Sequence, residues 1–174
     1  MSKQIKLGEH AVVTDPCHHD DFMCMTILRN LRPGMYNVSV DRGEIPIWGL
    51  RNKSLTVLHE NIKSPVWEDH SNLPVDSGQL GVFCMTEYRD DEVADKLPWL
   101  TEKGDPFGGT YIKDDIPGED WYVKMCDRTL NGDNWGVYDT GVVSSSGVGD
   151  GFYSVEVSEM DGQVHGIKIT FIDE

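Results

Sequence analysis

Residues 152–172 read FYSVEVSEMDGQVHGIKITFI. Two alternating runs, Phe152–Ser158 and Val164–Ile172, flank the segment Glu159-Met160-Asp161-Gly162-Gln163. Alternation with period two puts successive side chains on opposite faces, as in a half-buried strand. Asp-Gly between such runs is the strongest short-range hairpin signal, because both central residues of a type I′ turn need positive φ. The stretch is therefore a closing β-hairpin, with Ile167, Ile169 and Phe171 on the core face of its last strand.

Strand and turn signals dominate outward from it. Lys3–Leu7 and His10–Thr14 read as short strands about Gly8, and Asp15-Pro16 stops the second because proline has no backbone donor. Met23, Ile27 and Leu31 recur every fourth residue behind Asp20 and Asp21, which predicts a helix over Phe22–Leu31 ended by Pro33-Gly34. Met35–Asp41 alternates as a strand. Ile45–Leu50 and Ser54–Glu60 read as a strand pair turning at Arg51-Asn52-Lys53. Ser64–Val75, with Pro65 and Pro74, reads as irregular, and Leu80–Met85 as a buried strand. Thr86–Leu97 is a second helix candidate, and Thr101–Asp120, rich in Gly and Pro, a long loop. Trp121, Val123 and Met125 alternate with Tyr122 and Lys124, which predicts a strand over Trp121–Asp127; Trp135–Ser144 is also β-like. Together these give a mostly-β (α+β) fold: one antiparallel sandwich or barrel, residues 1–174, with one or two short helices and long loops.

The 174 residues suit one domain, and 39% hydrophobic content suffices for one core. The net charge is −15. Nucleic-acid backbones and anionic membranes both need clustered Lys and Arg, so neither is an expected partner. No run of about 18 apolar residues is present, and the start of the chain leads into no apolar signal segment. Cys17, Cys24, Cys84 and Cys126 form no CxxC pair, and the expectation is reduced thiols in a cytoplasm. The charge is uneven. Residues 1–87 hold 8 basic and 11 acidic groups, a net of −3, whereas residues 88–174 hold 7 and 19, a net of −12.

Three polar turns border predicted strands: Thr14–Asp21, Val75–Gly81 and Ser144–Gly151. A strand ending in Asp15-Pro16-Cys17, then Val75-Asp76-Ser77-Gly78-Gln79, then Ser145-Ser146-Gly147-Val148-Gly149-Asp150-Gly151 before a closing hairpin resembles the DUF 4241-like family of small bacterial and phage proteins of unknown function. The resemblance spans residues 5–172, and the third segment is its most specific part. It departs at His18, where the family pattern has an aromatic residue after the cysteine. The resemblance implies that the three turns converge and brings no established activity.

Each turn has a structural and a functional reading. Asp15 before proline is a turn initiator whose carboxylate bonds donors two residues on; alternatively Cys17 is a thiolate nucleophile helped by His19, His18 being on the wrong side of an extended segment. Cys17-His18-His19-Asp20-Asp21 lacks the ligand spacing of a zinc site, so surface histidines are expected. Asp76 with Gly78 builds an Asx-type turn, and Gln79 pins a neighbouring loop; Asp15, Asp76 and Asp150 brought together would instead hold Mg²⁺ or Ca²⁺. Gly147, Gly149 and Gly151 form either a bulge or, with Ser144–Ser146, a backbone anion cradle, though neither a P-loop nor a nucleophile elbow.

Three functions follow. The first is an acidic accessory protein that binds and inhibits a host protein with a basic surface, through Asp114, Asp115, Glu119 and Asp120 with Trp99 and Phe107 as apolar anchors. The second is a small hydrolase or transferase using Asp15, Cys17, Asp76 and Asp150. The third is a small-ligand or divalent-cation sensor built on Ser77, Gln79, Ser146, Gly147, Gly149 and Asp150. The first needs no cofactor and ranks foremost, with the other two as alternatives.

Overall fold

A computed structural model of the chain describes residues 3–18, 23–89 and 119–173, and of residues 119 and 120 the backbone alone. Two antiparallel sheets pack face to face. The first sheet contains β1 (Lys3–Leu7), β4 (Gly34–Ile45), β5 (Gly49–His59), β6 (Glu68–Val75), β10 (Gly151–Met160) and β11 (Gln163–Thr170), in the order β1-β4-β5-β11-β10-β6. The second contains β2 (Ala11–Thr14), β3 (Met25–Leu28), β7 (Gln79–Cys84), β8 (Trp135–Tyr138) and β9 (Gly141–Ser145), in the order β3-β2-β7-β9-β8. Tyr36, Leu55, Val57, Val155, Ile167 and Ile169 from the first sheet meet Val13, Leu80, Val82 and Val142 from the second in one buried core. The fold is thus a β-sandwich, as the strand count and turn spacing predict.

The two sheets are tied at both lateral edges, which limits their exposure as pairing templates. Lys6 N–H donates to Asp139 O at 2.8 Å beside β8, and the Lys3 ammonium sits 3.8 Å from the centre of the Trp135 ring. On the other side the hydroxyls of Thr26 and Ser71 lie 2.7 Å apart between β3 and β6. One helix, α1 (Glu119–Thr129), covers the outer face of the second sheet, where Trp121 and Met125 pack on Val12, Phe83 and Val143.

The closing hairpin is as predicted. Val155 pairs Ile169, Val157 pairs Ile167, and Asp161 and Gly162 have φ of 54° and 77°. Several local expectations are corrected. Residues 25–28 of the expected helix over Phe22–Leu31 form β3, with Val12 opposite Ile27; pairing with β2 buries Thr26 and Leu28, and Leu31 is buried separately by a bridge to Val164. Trp121–Asp127 is helical rather than extended. Trp121 and Met125 suit both periods, and the residue that distinguishes them is Val123, 48% exposed while its neighbours two positions away are buried. Residues 68–75 are a strand despite Pro74, because β6 is an edge strand and a missing ladder donor is tolerated there. The hairpin of β4 and β5 turns at Pro46-Ile47-Trp48, and Arg51–Lys53 lie inside β5. Met85–Glu87 is a 3-10 turn; the rest of the second helix candidate beyond Arg89, and the predicted loop up to Gly118, lie outside the described residues, while Glu119 and Asp120 open α1.

Candidate functional site

The three polar turns meet at one end of the sandwich. The second, between β6 and β7, and the third, between β9 and β10, both carry the chain from one sheet to the other. They run side by side: Gly151 pairs Val75, Gln79 pairs Ser145, and Ser146 N–H donates to Gly78 O at 2.9 Å. The first turn follows β2 and joins them through Asp15.

Asp15 is fully buried, and its carboxylate accepts four hydrogen bonds. Oδ1 receives Cys17 N–H at 2.9 Å and the Ser77 hydroxyl at 2.5 Å. Oδ2 receives the backbone N–H of Asp76 at 2.8 Å and of Ser77 at 2.7 Å. Four donors fill the acceptor sites of a carboxylate. Asp15 is therefore a pin between the first and second turns. Asp76, by contrast, points outward, and the His18 ring N–H donates to it at 3.0 Å. Tyr88 OH donates to His18 O and the Arg89 guanidinium to Pro16 O, which fixes the rest of the first turn.

Burial, and then the Asp15 carboxylate beside it, push the Cys17 thiol well above its ordinary pKa. Cys17 is thus held as a thiol, which removes the thiolate that the nucleophile reading requires. Asp150 is exposed on the third turn. Among the described residues no three His, Cys, Asp or Glu side chains gather as metal ligands. His19, Asp20 and Asp21 lie outside the described residues.

Gln79 is buried and satisfied by α1. Its Nε2 lies 3.3 Å from Ser77 Oγ and 3.4 Å from Cys126 Sγ, and Thr129 Oγ1 donates to its Oε1 at 2.8 Å. Tyr122, on the same helical face, has its hydroxyl pKa pushed up to about 12, first by burial and then by its neighbour Cys126. Tyr122, Cys126 and Thr129 were invisible as a group while the segment read as a strand; their spacing of four and three is the helical signal.

The third turn is occupied internally. Ser144 Oγ accepts from Asn52 Nδ2 at 2.9 Å, Ser146 Oγ donates to Gly149 O at 2.5 Å, and Tyr153 OH donates to the same carbonyl at 2.6 Å. The N–H groups of Ser146 and Val148 are likewise used inside the cluster, so they cannot cradle an anion. Gly147 has φ of 77°, and a Cβ there would lie 2.7 Å from Asn52 O; only glycine fits. The turns converge, and Asp15, Ser77, Gln79, Ser144 and Ser146 are tied to neighbouring groups in a hydrogen-bonded knot, while the buried His18 Nδ1 has no hydrogen-bond partner among the described residues.

From this end the β4–β5 hairpin continues outward as an arm. β1 covers β4 only as far as Val38, and β11 covers β5 only over Ser54–Leu58. Residues 42–52 pair with each other. At the tip Trp48 N–H donates to Ile45 O at 3.0 Å, Pro46 takes the second position, and Ile47 the third with φ of 75°. That third place in such a turn ordinarily belongs to Gly or Asn. A β-branched residue held there is strained by about 1–3 kcal/mol. Ile47 is 101% exposed, and Trp48 and Leu50 are exposed beside it.

Of the expected partner-binding residues, Trp99, Phe107, Asp114 and Asp115 lie outside the described residues, as do the side chains of Glu119 and Asp120. Comparisons with protein families, with curated proteins and with solved structures find no match. No helix among the described residues is long and apolar enough to cross a membrane.

Proposed function

We propose that the protein is a non-catalytic, cytoplasmic binding protein that inhibits a protein with a basic surface by docking the knotted end of its sandwich against it. The carrying observation is the contrast at that end between locked interior and exposed carboxylates. Asp15, Ser77, Gln79 and Ser146 are consumed by internal hydrogen bonds. Asp41, Asp76, Asp133 and Asp150 stand exposed about them, the first three beside Lys53 at 3.9 Å, His18 at 3.0 Å and Arg42 at 3.4 Å. A net charge of −15 on the chain speeds encounter with a basic partner and selects against acidic ones. In the setting that resemblance to the DUF 4241-like phage and bacterial proteins implies, the partner is a host protein; nucleic acid is disfavoured by the same charge.

The test is charge reversal in two sets, Asp41, Asp133 and Asp150 in one and Asp114, Asp115, Glu119 and Asp120 in the other, each changed to Lys. Association with the basic protein that co-purifies is followed at several salt concentrations. The expected result is a slower on-rate with a weaker salt dependence. If both sets leave rate and salt dependence unchanged, the charge serves solubility alone. Loss of function on Cys17→Ala or Asp76→Ala with binding intact would revive the hydrolase or transferase reading.

A further inference from the structure

We infer that Asn131, followed by Gly132 in the turn between α1 and β8, is a site of spontaneous deamidation, at which water replaces the side-chain amide and leaves an aspartyl or isoaspartyl residue. The inference is independent of the binding reading.

The sequence supplies the reactive pair. Of the chain's seven asparagines, Asn131 is the one that precedes glycine; the others precede Leu31, Val38, Lys53, Ile62, Leu73 and Trp135. Asparagine is a thermally labile residue, and a following glycine has no Cβ to obstruct the approach of its nitrogen to the side chain before it.

The fold leaves this pair open and aims a donor at it. Asn131 and Gly132 are exposed, and a Cβ at Gly132 would meet nothing within 4 Å. No hydrogen bond among the described residues engages Gly132 N–H, the attacking group. Asn131 Oδ1 accepts Asp133 N–H at 3.0 Å, and its Nδ2 donates to Trp135 O at 3.3 Å. Attack on Cγ puts negative charge on Oδ1, where a donor already in place stabilises it. Asn134 N–H donates to Asn131 O at 3.0 Å, which closes the turn and keeps the reacting atoms together.

Hydroxide removes the Gly132 amide proton. The nitrogen then bonds to Asn131 Cγ, the Cγ–Nδ2 bond breaks, and ammonia leaves with a proton from water. The cyclic imide that remains takes up water at either carbonyl. Opening at Cγ gives aspartate; opening at the main-chain carbonyl gives isoaspartate, whose backbone runs through the side chain and is a methylene longer. Either product adds a negative charge beside Asp133, which pairs with Arg42 at 3.4 Å. The lengthened backbone falls next to Asn134, whose carbonyl accepts Asn52 Nδ2 at 3.0 Å and Ser145 N–H at 2.9 Å. Conversion therefore acts on the knot.

The test holds the full chain, folded in buffer and unfolded in urea, at neutral and at mildly alkaline pH, and maps its peptides by mass spectrometry. The expected result is exchange of NH for O at Asn131, at comparable rates in the two states and faster at the higher pH, with isoaspartate and aspartate both present. Gly132→Ala should slow it several-fold. Asp133→Pro, which removes the N–H aimed at Oδ1, should slow the folded protein several-fold and leave the unfolded chain unchanged. Should that variant not fold, the ratio of folded to unfolded rates in the wild type still decides. Conversion in urea with none in the folded protein would show that the turn protects Asn131 and would overturn the inference. The converted protein, separated by its extra charge on an anion exchanger, should melt below the fresh protein; equal melting would remove the link to the knot.

Discussion

Two hairpins of this molecule make opposite use of the same architecture. The closing hairpin β10–β11 turns through Asp161 and Gly162, residues that accept positive φ at small cost, and both its strands are paired on their outer sides as well. The arm β4–β5 turns through Pro46, Ile47 and Trp48, forces positive φ on a β-branched residue, and leaves the strands beyond Asp41 without outer neighbours. Every local choice in the first hairpin agrees with the fold. In the second the choices at the tip conflict with it. A sequence under selection for stability alone removes such a conflict.

The contrast can be broken most severely from the closing hairpin. Ile169 is fully buried between Val155 and Leu55. Ile169→Asp places an unpaired charge in the core and should cost about 4 kcal/mol or more, read as loss of the folded baseline in urea melts. Asp15→Ala comes next. It leaves three part-buried backbone N–H groups and the Ser77 hydroxyl without their acceptor, and should lower stability by about 3 kcal/mol. A fall of less than about 1 kcal/mol would show that the turns hold together without their pin.

The two tips then respond with opposite sign. Gly162→Ala puts a Cβ on a residue at φ of 77° and should destabilise by about 1–2 kcal/mol. Ile47→Gly relieves the same kind of strain and should raise stability by about 1 kcal/mol. Thermal melts of the pair test the comparison directly: if Ile47→Gly destabilises, the tip conformation is supported by the chain.

The gentlest effect is on pH. His165 is buried on β11, with Nε2 3.1 Å from Ser158 Oγ. Burial, then His59 and Arg32 nearby, lower its pKa below 6.5. Both states carry the neutral ring well above pH 6.5. As pH falls through 6.5 the unfolded chain takes up a proton that the folded chain refuses, so stability declines toward the folded value, by less than about 1.4 kcal/mol per pH unit. Denaturant midpoints of wild type and His165→Gln between pH 7.5 and 5.5 should converge at low pH.

How far the sequence could be read depended on distance along the chain. Asp161-Gly162 defines its own turn, because the φ preferences of two adjacent residues decide it. The alternation of 152–172, the β class, and the placing of three Gly- and Asp-rich turns at strand ends were all legible for the same local reason. The strand at Met25–Leu28 and the helix at Glu119–Thr129 were not. Their apolar spacing fits two periods, and burial against β2 or against Phe83 chooses between them. The turn of the arm lies at Pro46-Ile47-Trp48 and not at Arg51–Lys53, because Ile47 occupies a position where local chemistry asks for glycine.

What the sequence by itself determined is therefore the class of the fold, the closing hairpin, the charge and the existence of the polar turns, all properties of neighbours. The tertiary structure alone decided what the turns do. Asp15 meets Ser77 across 62 residues and Asn52 meets Ser144 across 92. No periodicity encodes such pairings, since they arise only when two sheets have packed and their crossing connections share one end. That packing turned candidate catalytic and ligand groups into a knot of satisfied hydrogen bonds, and left Ile47 standing clear of it.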